Sequence, residues 1–129
     1  MAQSSGSLHE PEDKLSPEII DRHRAIVSLM EELEAVDWYD QRASAATNSE
    51  LRAIVAHNRD EEKEHAMMLL EWLRRNDGAF AEMIGTYINK FGSIIGAEAA
   101  TKGEAGAEGA PAASGSSGSL GIGSLRGGA

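Results

Sequence analysis

Residues 51–73 read LRAIVAHNRDEEKEHAMMLLEWL, and this stretch decides how the chain folds. On a helical wheel of about 100° per residue, four apolar residues fall within about 20° of Glu62. They are Leu51, Val55, Leu69 and Leu73. Glu62 therefore lies at the centre of the apolar stripe of a helix, and His65 lies inside the stripe. Burying a carboxylate without a partner is costly, so we expect Glu62 to be protonated, ion-paired or bound to a metal.

Glu62 and His65 stand three positions apart, which places a carboxylate and an imidazole side by side on one helix face. Carboxylate-bridged di-metal sites in four-helix bundles take two of their ligands with this Glu-x-x-His spacing. A buried Glu–His hydrogen bond at a helix–helix contact would use the same spacing. The motif alone leaves both interpretations open.

The flanking sequence predicts an all-α fold built on a helical hairpin. Ser16–Pro17 is typical of a helix start, and this first helix should run to about Ala46. Thr47 and Glu50 fit a capping box for the second helix, which should end at Arg75. A connection this short between long helices predicts that they are antiparallel.

The first helix offers a further carboxylate, Glu32, about 30 residues before Glu62. Four apolar residues lie within about 100° of Glu32, all on one side of it on the wheel, which puts Glu32 at the edge of the apolar stripe. They are Ala25, Leu29, Leu33 and Val36. Glu32 and Glu62 each lie roughly 15 residues from the connection, so folding the hairpin should bring them to a similar height.

Glu32, Glu62 and His65 make up half of a bundle-type di-metal site, which needs two such sets of ligands from four helices. We therefore expect a second copy of the chain to complete the site in a symmetric homodimer. Carboxylates with one imidazole per metal suit iron or manganese, two ions per dimer interface. Calcium or zinc would also be accepted as occupants of a crystal.

Two further groups of polar residues could hold cations. Glu31 and Glu34 lie 60° apart on the first helix, and His57, Glu61 and Glu64 share one face of the second helix. Solvated surface charge is the usual explanation for such runs. The functional alternative is that they are weak, exposed sites that draw metal toward the buried ligands.

Trp38 and Tyr39 raise a similar choice. Tyr39 lies about 20° from Glu32 on the wheel, close enough to contact the same site. An aromatic side chain beside a metal centre can pack against the ligands or carry an electron. Aromatic residues at these spacings are also common in an ordinary helical core.

The overall composition excludes several classes of protein. The 129 residues carry a formal net charge of −9, from 21 acidic and 12 basic residues, which argues against sequence-independent nucleic-acid binding. The absence of cysteine excludes disulfides and thiolate metal sites. No apolar run is long enough to span a membrane, so we expect a soluble, cytoplasmic protein.

The sequence divides into four segments. We expect residues 1–15 to form a flexible arm. Residues 16–95 should form a helical region that contains a third, short helix from Ala79 to Phe91. Residues 96–119 predict a disordered linker rich in Gly, Ala and Ser. Residues 120–129 regain apolar side chains, which is typical of a docking peptide at the end of a tether.

These residues together resemble the encapsulated ferritins, two-helix ferritin-like proteins that are cargo of encapsulin nanocompartments. The resemblance covers roughly residues 8–95. It is carried by HRAIV (23–27), EELEAVDWY (31–39), AHNRDEEKEHA (56–66) and LEWLRR (70–75). The C-terminal segment also resembles an encapsulin cargo-loading peptide, through Leu120, Ile122, Ser124, Leu125 and Arg126.

The resemblance implies a ferroxidase that oxidises Fe(II) to Fe(III) with dioxygen and supplies iron for mineral storage inside the encapsulin shell. It implies a ferritin-like four-helix bundle formed by dimerisation, and a ring-shaped decamer of five dimers. Glu32, Glu62 and His65 match the ferroxidase ligands, and Trp38 and Tyr39 match positions around them. Glu31 and Glu34 match a site for the uptake of divalent cations. An outer metal site is matched by His57, Glu61 and Glu64.

Two alternatives remain open at the level of sequence. The chain could be a non-redox helical adaptor in which the Glu–His pair gives interface specificity. It could also be a di-metal protein of the rubrerythrin type that uses peroxide as oxidant.

Overall fold

The computed structural model describes residues 6–106 of the chain. These residues contain helices and no strand, which confirms the predicted all-α class. After a single 3-10 turn the chain forms four helices; they are α1 (Pro17–Ala45), α2 (Ser49–Asn76), α3 (Gly78–Tyr87) and α4 (Ile94–Gly106). The described residues form two compact units, divided after Asp77. The first unit contains the predicted hairpin of α1 and α2.

Local capping signals determine where α1 begins. The Ser16 hydroxyl accepts a hydrogen bond from the Ile19 backbone N–H at 3.2 Å, and Pro17 occupies the first turn. The predicted start is therefore confirmed. The helix ends at Ala45, one residue before the predicted end.

The connection between α1 and α2 differs from the prediction in one detail. Asn48, and not Thr47, caps α2, because the Asn48 side-chain oxygen accepts from the Leu51 N–H at 2.8 Å. The Arg52 guanidinium donates to the Ala46 carbonyl from two nitrogens, at 2.6 and 3.2 Å. This satisfies a carbonyl at the end of α1 and fastens it to the first turn of α2.

Few side chains are buried between α1 and α2. The buried apolar residues of the described chain are Ala25 and Ala43 on α1 and Ala66 and Leu73 on α2. Large apolar side chains on the same hairpin remain more than a third exposed; they include Leu33, Leu51, Ile54 and Trp72. An apolar surface of this kind marks an interaction surface.

The second unit contains α3 and α4, which contact each other. The sequence predicted that the third helix extends to Phe91, but α3 ends at Tyr87. Asn89 has a positive φ of 58°, and this left-handed backbone conformation stops the helix. Residues 88–93 are not helical, and the chain forms a helix again from Ile94.

The predicted linker begins at residue 96, whereas the structure continues with α4 to Gly106. Ser93 starts this helix, because its hydroxyl accepts from the Gly96 N–H at 3.0 Å. Ala97, Ala99 and Ala100 then supply strong helix formers. The rest of the predicted linker and the docking segment, residues 107–129, lie outside the described residues, as do residues 1–5. None of the described helices is long and apolar enough to cross a membrane.

The last turn of α2 carries an ion-pair cluster with a pH-dependent effect on stability. Glu71 accepts hydrogen bonds from Arg74 and Arg75, at 2.7 Å each, and these bonds, Arg74 first, lower the pKa of Glu71 to about 2. A carboxylate with a lowered pKa stabilises the fold above its ordinary pKa of 4.5, and this contribution is lost as the pH falls through about 2.

Glu71→Gln should therefore lower the unfolding temperature at pH 7 by a few degrees at most, because the cluster is solvent-exposed. The difference from the unsubstituted chain should shrink as the pH falls from 4.5 toward 2. Thermal unfolding followed by circular dichroism over this pH range tests the expectation. An equal difference at every pH would mean that the ion pairs contribute nothing.

Candidate metal centre

The hairpin brings together one carboxylate from α1 and a carboxylate and an imidazole from α2. Glu32, Glu62 and His65 each offer one ligand atom, and these atoms all lie within 4.8 Å of one another. The His65 Nδ1 atom is 3.5 Å from Glu62 Oε2 and 3.8 Å from Glu32 Oε2. We call these three residues the ligand trio. It is the set expected from the helical wheel and from the position of the connection.

The ligand trio is partly buried and open on one side. The Glu32 and Glu62 side chains are 25% and 23% exposed, and His65 is 45% exposed. The pKa of Glu32 is raised, first by a hydrogen bond with the Glu62 carboxyl group, then by burial and by the Glu62 charge. His65 acts in the opposite direction. Two carboxylates this close need a shared proton or a cation between them.

The chemistry of the donors determines which cation would fit. Carboxylate oxygens and one imidazole nitrogen are hard to borderline ligands that suit iron or manganese. One chain supplies three donor residues, which leaves coordination positions free for a partner's ligands or a small molecule. The ligand trio therefore fits a divalent transition metal at which chemistry can occur.

The other predicted cation sites are not assembled within one chain. Among residues 6–102, whose side chains the structure describes, the ligand trio is the one group of three potential ligands close enough to share a metal. Glu31 is exposed and Glu34 is half-buried. His57 Nε2 lies 3.3 Å from Glu61 Oε1, while Glu64 is exposed and does not join a group of three.

Trp38 and Tyr39 both lie beside the guanidinium of Arg42, a contact that was not predicted from the sequence. The guanidinium carbon of Arg42 lies 5.8 Å from the centre of the Trp38 ring and 5.5 Å from the centre of the Tyr39 ring. Both distances are within the range of cation–π attraction. The signal was present in the sequence, since Arg42 follows these residues by four and three positions. Trp38 is 48% exposed in the single chain.

An antiparallel helical hairpin that presents Glu32 on one helix and Glu62-x-x-His65 on the other is half of the four-helix arrangement of the ferritin-like carboxylate metal proteins. The fold and the ligand trio together therefore indicate a ferritin-like helical protein. Comparison with known families narrows this class. The EncFtn-like family model matches residues 7–91, and the chain belongs to this family.

Similar proteins agree with this assignment. An "Encapsulated ferritin-like protein" of Rhodospirillum rubrum is 62% identical over 132 residues, which cover 100% of this chain and 94% of the relative. A "Ferritin-like protein" of Thermotoga maritima is 47% identical over 95 residues, covering 74% of this chain and 83% of the relative. A solved Nitrosomonas europaea structure is 57% identical with a TM-score of 0.66, over 68% of this chain and 97% of that chain. The resemblance predicted from the sequence is confirmed.

Proposed function

We propose that the chain is a ferroxidase that oxidises Fe(II) with dioxygen at a di-iron site shared by two copies of the chain. The observation that carries this proposal is the convergence of Glu32, Glu62 and His65 within 4.8 Å. The family assignment and the name of the R. rubrum relative support a role in handling iron.

The need for a second copy follows from the incompleteness of the ligand trio. Bundle-type di-metal sites use twice these ligands, drawn from four helices. Leu33, Leu51 and Ile54 on the same hairpin are 52%, 51% and 53% exposed. A twofold partner would cover such apolar side chains and supply the second trio. Each copy would then contribute the same residues to both ions.

The proposed reaction transfers electrons from Fe(II) to dioxygen. Two Fe(II) ions give up two electrons, which with two protons convert one dioxygen molecule to hydrogen peroxide. Four electrons and four protons would reduce it to water. The negative charge of Glu32 and Glu62 favours Fe(III) over Fe(II), and so favours oxidation. The pKa of Glu32 is raised in the free chain, first by the hydrogen bond with Glu62, so protons compete with the metal for this carboxylate more than for an ordinary glutamate.

The remaining charged and aromatic residues are proposed in supporting roles. Glu31 and Glu34 flank Glu32 along α1 and would attract divalent cations to the site. The face that carries His57, Glu61 and Glu64 would form an outer metal site.

Trp38 and Tyr39 would lie close to the iron ions. Tyr39 follows Glu32 by seven positions, which is about two turns and roughly 10 Å along α1. Arg42 holds a positive charge against both rings. A cation at this position disfavours the removal of an electron from either ring, so the oxidant would act on Fe(II) in preference to the side chains.

We further propose that the chain is the cargo of an encapsulin shell, where the oxidised iron is stored as mineral. Supporting this, the relative that matches the whole chain is named as encapsulated. In this proposal residues 120–129 dock on the shell, residues 107–119 connect them to α4, and the dimers assemble as a decamer. The protein would then reside in the cytoplasm, inside the encapsulin compartment.

Deleting residues 120–129 should remove co-purification with a co-expressed encapsulin and leave Fe(II) oxidation unchanged. The reason is that the ligand trio belongs to the hairpin, far from this segment in sequence. Size-exclusion chromatography of the shell fraction and an oxygen electrode measure the two effects. Retained loading of the truncated chain would refute the docking role.

Comparing dioxygen with hydrogen peroxide as the oxidant tests the proposed ferroxidase function directly. We expect the full-length protein to oxidise Fe(II) faster with dissolved dioxygen than with an equal concentration of hydrogen peroxide, measured by the loss of Fe(II) in a ferrozine assay. Faster turnover with peroxide would favour the rubrerythrin type of chemistry. No oxidation above the rate of free Fe(II) would favour a non-redox adaptor.

A further inference from the structure

Outside the ligand trio, two ion pairs between the described residues connect the helices of the hairpin, and sequence reasoning identified neither of them. Arg59 Nη1 on α2 lies 3.0 Å from Asp40 Oδ1 on α1. Arg22 Nε on α1 lies 3.2 Å from Asp77 Oδ2, directly after α2. We call these pairs the interhelical clamps. We propose that the clamps are positioning devices that set the axial register of the hairpin and thereby assemble the ligand trio.

The clamps define a single register. Arg22 precedes Asp40 by 18 positions, and Asp77 follows Arg59 by 18 positions. Eighteen residues are about five complete helical turns, or roughly 27 Å. Both clamps therefore lie along the same face of the hairpin, and both hold the two helices in the same axial alignment.

The ligand trio lies between the clamps but on a different face. Glu32 follows Arg22 by 10 positions and precedes Asp40 by eight, which turns it about 80° away from Asp40 around α1. Glu62 follows Arg59 by three positions and is turned about 60° away from it. The clamps can therefore fix the positions of the metal ligands without contacting the metal.

The buried side chains between the helices give little resistance to sliding. Three of the four buried apolar residues on the hairpin are alanines, which allow close approach but interlock weakly. A polar pair can specify register where apolar packing does not, as polar residues do in coiled coils. A slip of one turn would move α1 by about 5.4 Å along α2. That displacement is larger than the 3.8 Å between His65 Nδ1 and Glu32 Oε2, so it would separate Glu32 from the other two members of the ligand trio.

Asp60 also bonds the arginine of the first clamp, but within α2 and not across to α1. Its Oδ1 atom lies 3.0 Å from Arg59 Nε, while Arg59 Nη1 reaches across to Asp40. Arg59 is one quarter exposed, and both aspartates are about 60% exposed. Asp40 and Asp60 thus form a matched pair: one bonds the arginine across the interface, and the other bonds it within its own helix.

The register itself can be measured without any metal. The chain contains no cysteine, so spin labels can be attached at Gln41→Cys on α1 and Met68→Cys on α2 of the full-length protein. The labelled chains are diluted with unlabelled chains so that only distances within one chain are recorded.

In the variant Asp40→Ala/Asp77→Ala we expect a second population of spin–spin distances, displaced by up to about 5 Å. Asp60→Ala should give the single distance of the unsubstituted chain. Circular dichroism checks that each variant remains helical. An unchanged distance distribution in a folded Asp40→Ala/Asp77→Ala chain would overturn the proposal.

The second measurement rests on the proposed function, because it assumes that the ligand trio binds Fe(II). If only part of the population has the correct register, the apparent dissociation constant rises as that fraction falls. We expect Fe(II) titrated under argon to bind about threefold more weakly to Asp40→Ala and about tenfold more weakly to Asp40→Ala/Asp77→Ala. Asp60→Ala should bind as the unsubstituted chain does.

The oxidation rate at saturating Fe(II) should stay within about twofold in all these variants, because the bound metal selects the correct register. The outcomes separate the two proposals. A shifted register with unchanged Fe(II) affinity would mean that iron binds elsewhere, so the proposed function would fail and the clamps would stand. Weaker binding with an unchanged register would reject the clamps and leave the metal site intact.

Discussion

Glu62→Gln is expected to reduce Fe(II)-dependent oxygen consumption at least about 100-fold, a larger loss than is usual for residues that only support metal ligands. Glu62 contacts both other members of the ligand trio. Its Oε2 atom lies 3.5 Å from His65 Nδ1, and its carboxyl group shares a hydrogen bond with Glu32. Glutamine preserves the size of the side chain but removes the negative charge that Glu62 would supply to a bound metal. An oxygen electrode measures the rate in the presence of excess Fe(II).

The matched control is Glu50→Gln, an exposed glutamate in the first turn of the same helix. Its rate should stay within about twofold of the unsubstituted chain, because exposed substitutions away from a site have small effects. Activity in Glu62→Gln equal to that of the control would exclude the ligand trio as the ferroxidase site.

Metal binding should raise the unfolding temperature strongly. A metal present at 100 times its dissociation constant stabilises a folded protein by about 2.7 kcal/mol. In a domain of this size such a gain corresponds to roughly 10–20 °C. Fe(II) added under argon should therefore shift the thermal transition by this amount, and a chelator should reverse it. Differential scanning fluorimetry in an anaerobic chamber measures the shift.

Substitution of one ligand provides the comparison. His65→Ala should remove most of the metal-dependent shift, because the ligand trio then lacks its only nitrogen donor. Glu50→Gln should retain the full shift. A shift in His65→Ala as large as in the unsubstituted chain would assign the stabilising metal to another part of the protein.

Local signals determined most of the fold, and for that reason it could be predicted. The Ser16 hydroxyl and the ring of Pro17 act within one turn, so the start of α1 was readable from sequence. Thr47 and Asn48 are adjacent residues that can both cap a helix, and the choice between them depends on how the connection closes. The helix α4 was missed because glycine content suggested a linker, whereas its alanines favour a helix.

The ligand trio was predictable for a related reason. A short connection brings residues that are equally far from it to a similar height, so counting from the connection put Glu32 opposite Glu62 to within about one helical turn. Arg42 and the interhelical clamps were not found this way, since they depend on the reach of long side chains. Whether Arg59 meets Asp40 is decided by the distance and rotation between two helices, and residue spacing within one helix does not contain this information.

We propose that one chain supplies half of the catalytic site and a second copy supplies the other half. Oxygen consumption per chain, measured across a dilution series with mass photometry at each concentration, tests it most directly. We expect a constant rate per chain while the protein is assembled, and a rate per chain that falls on further dilution as the fraction of single chains rises. A rate per chain that stays constant when single chains predominate would contradict it.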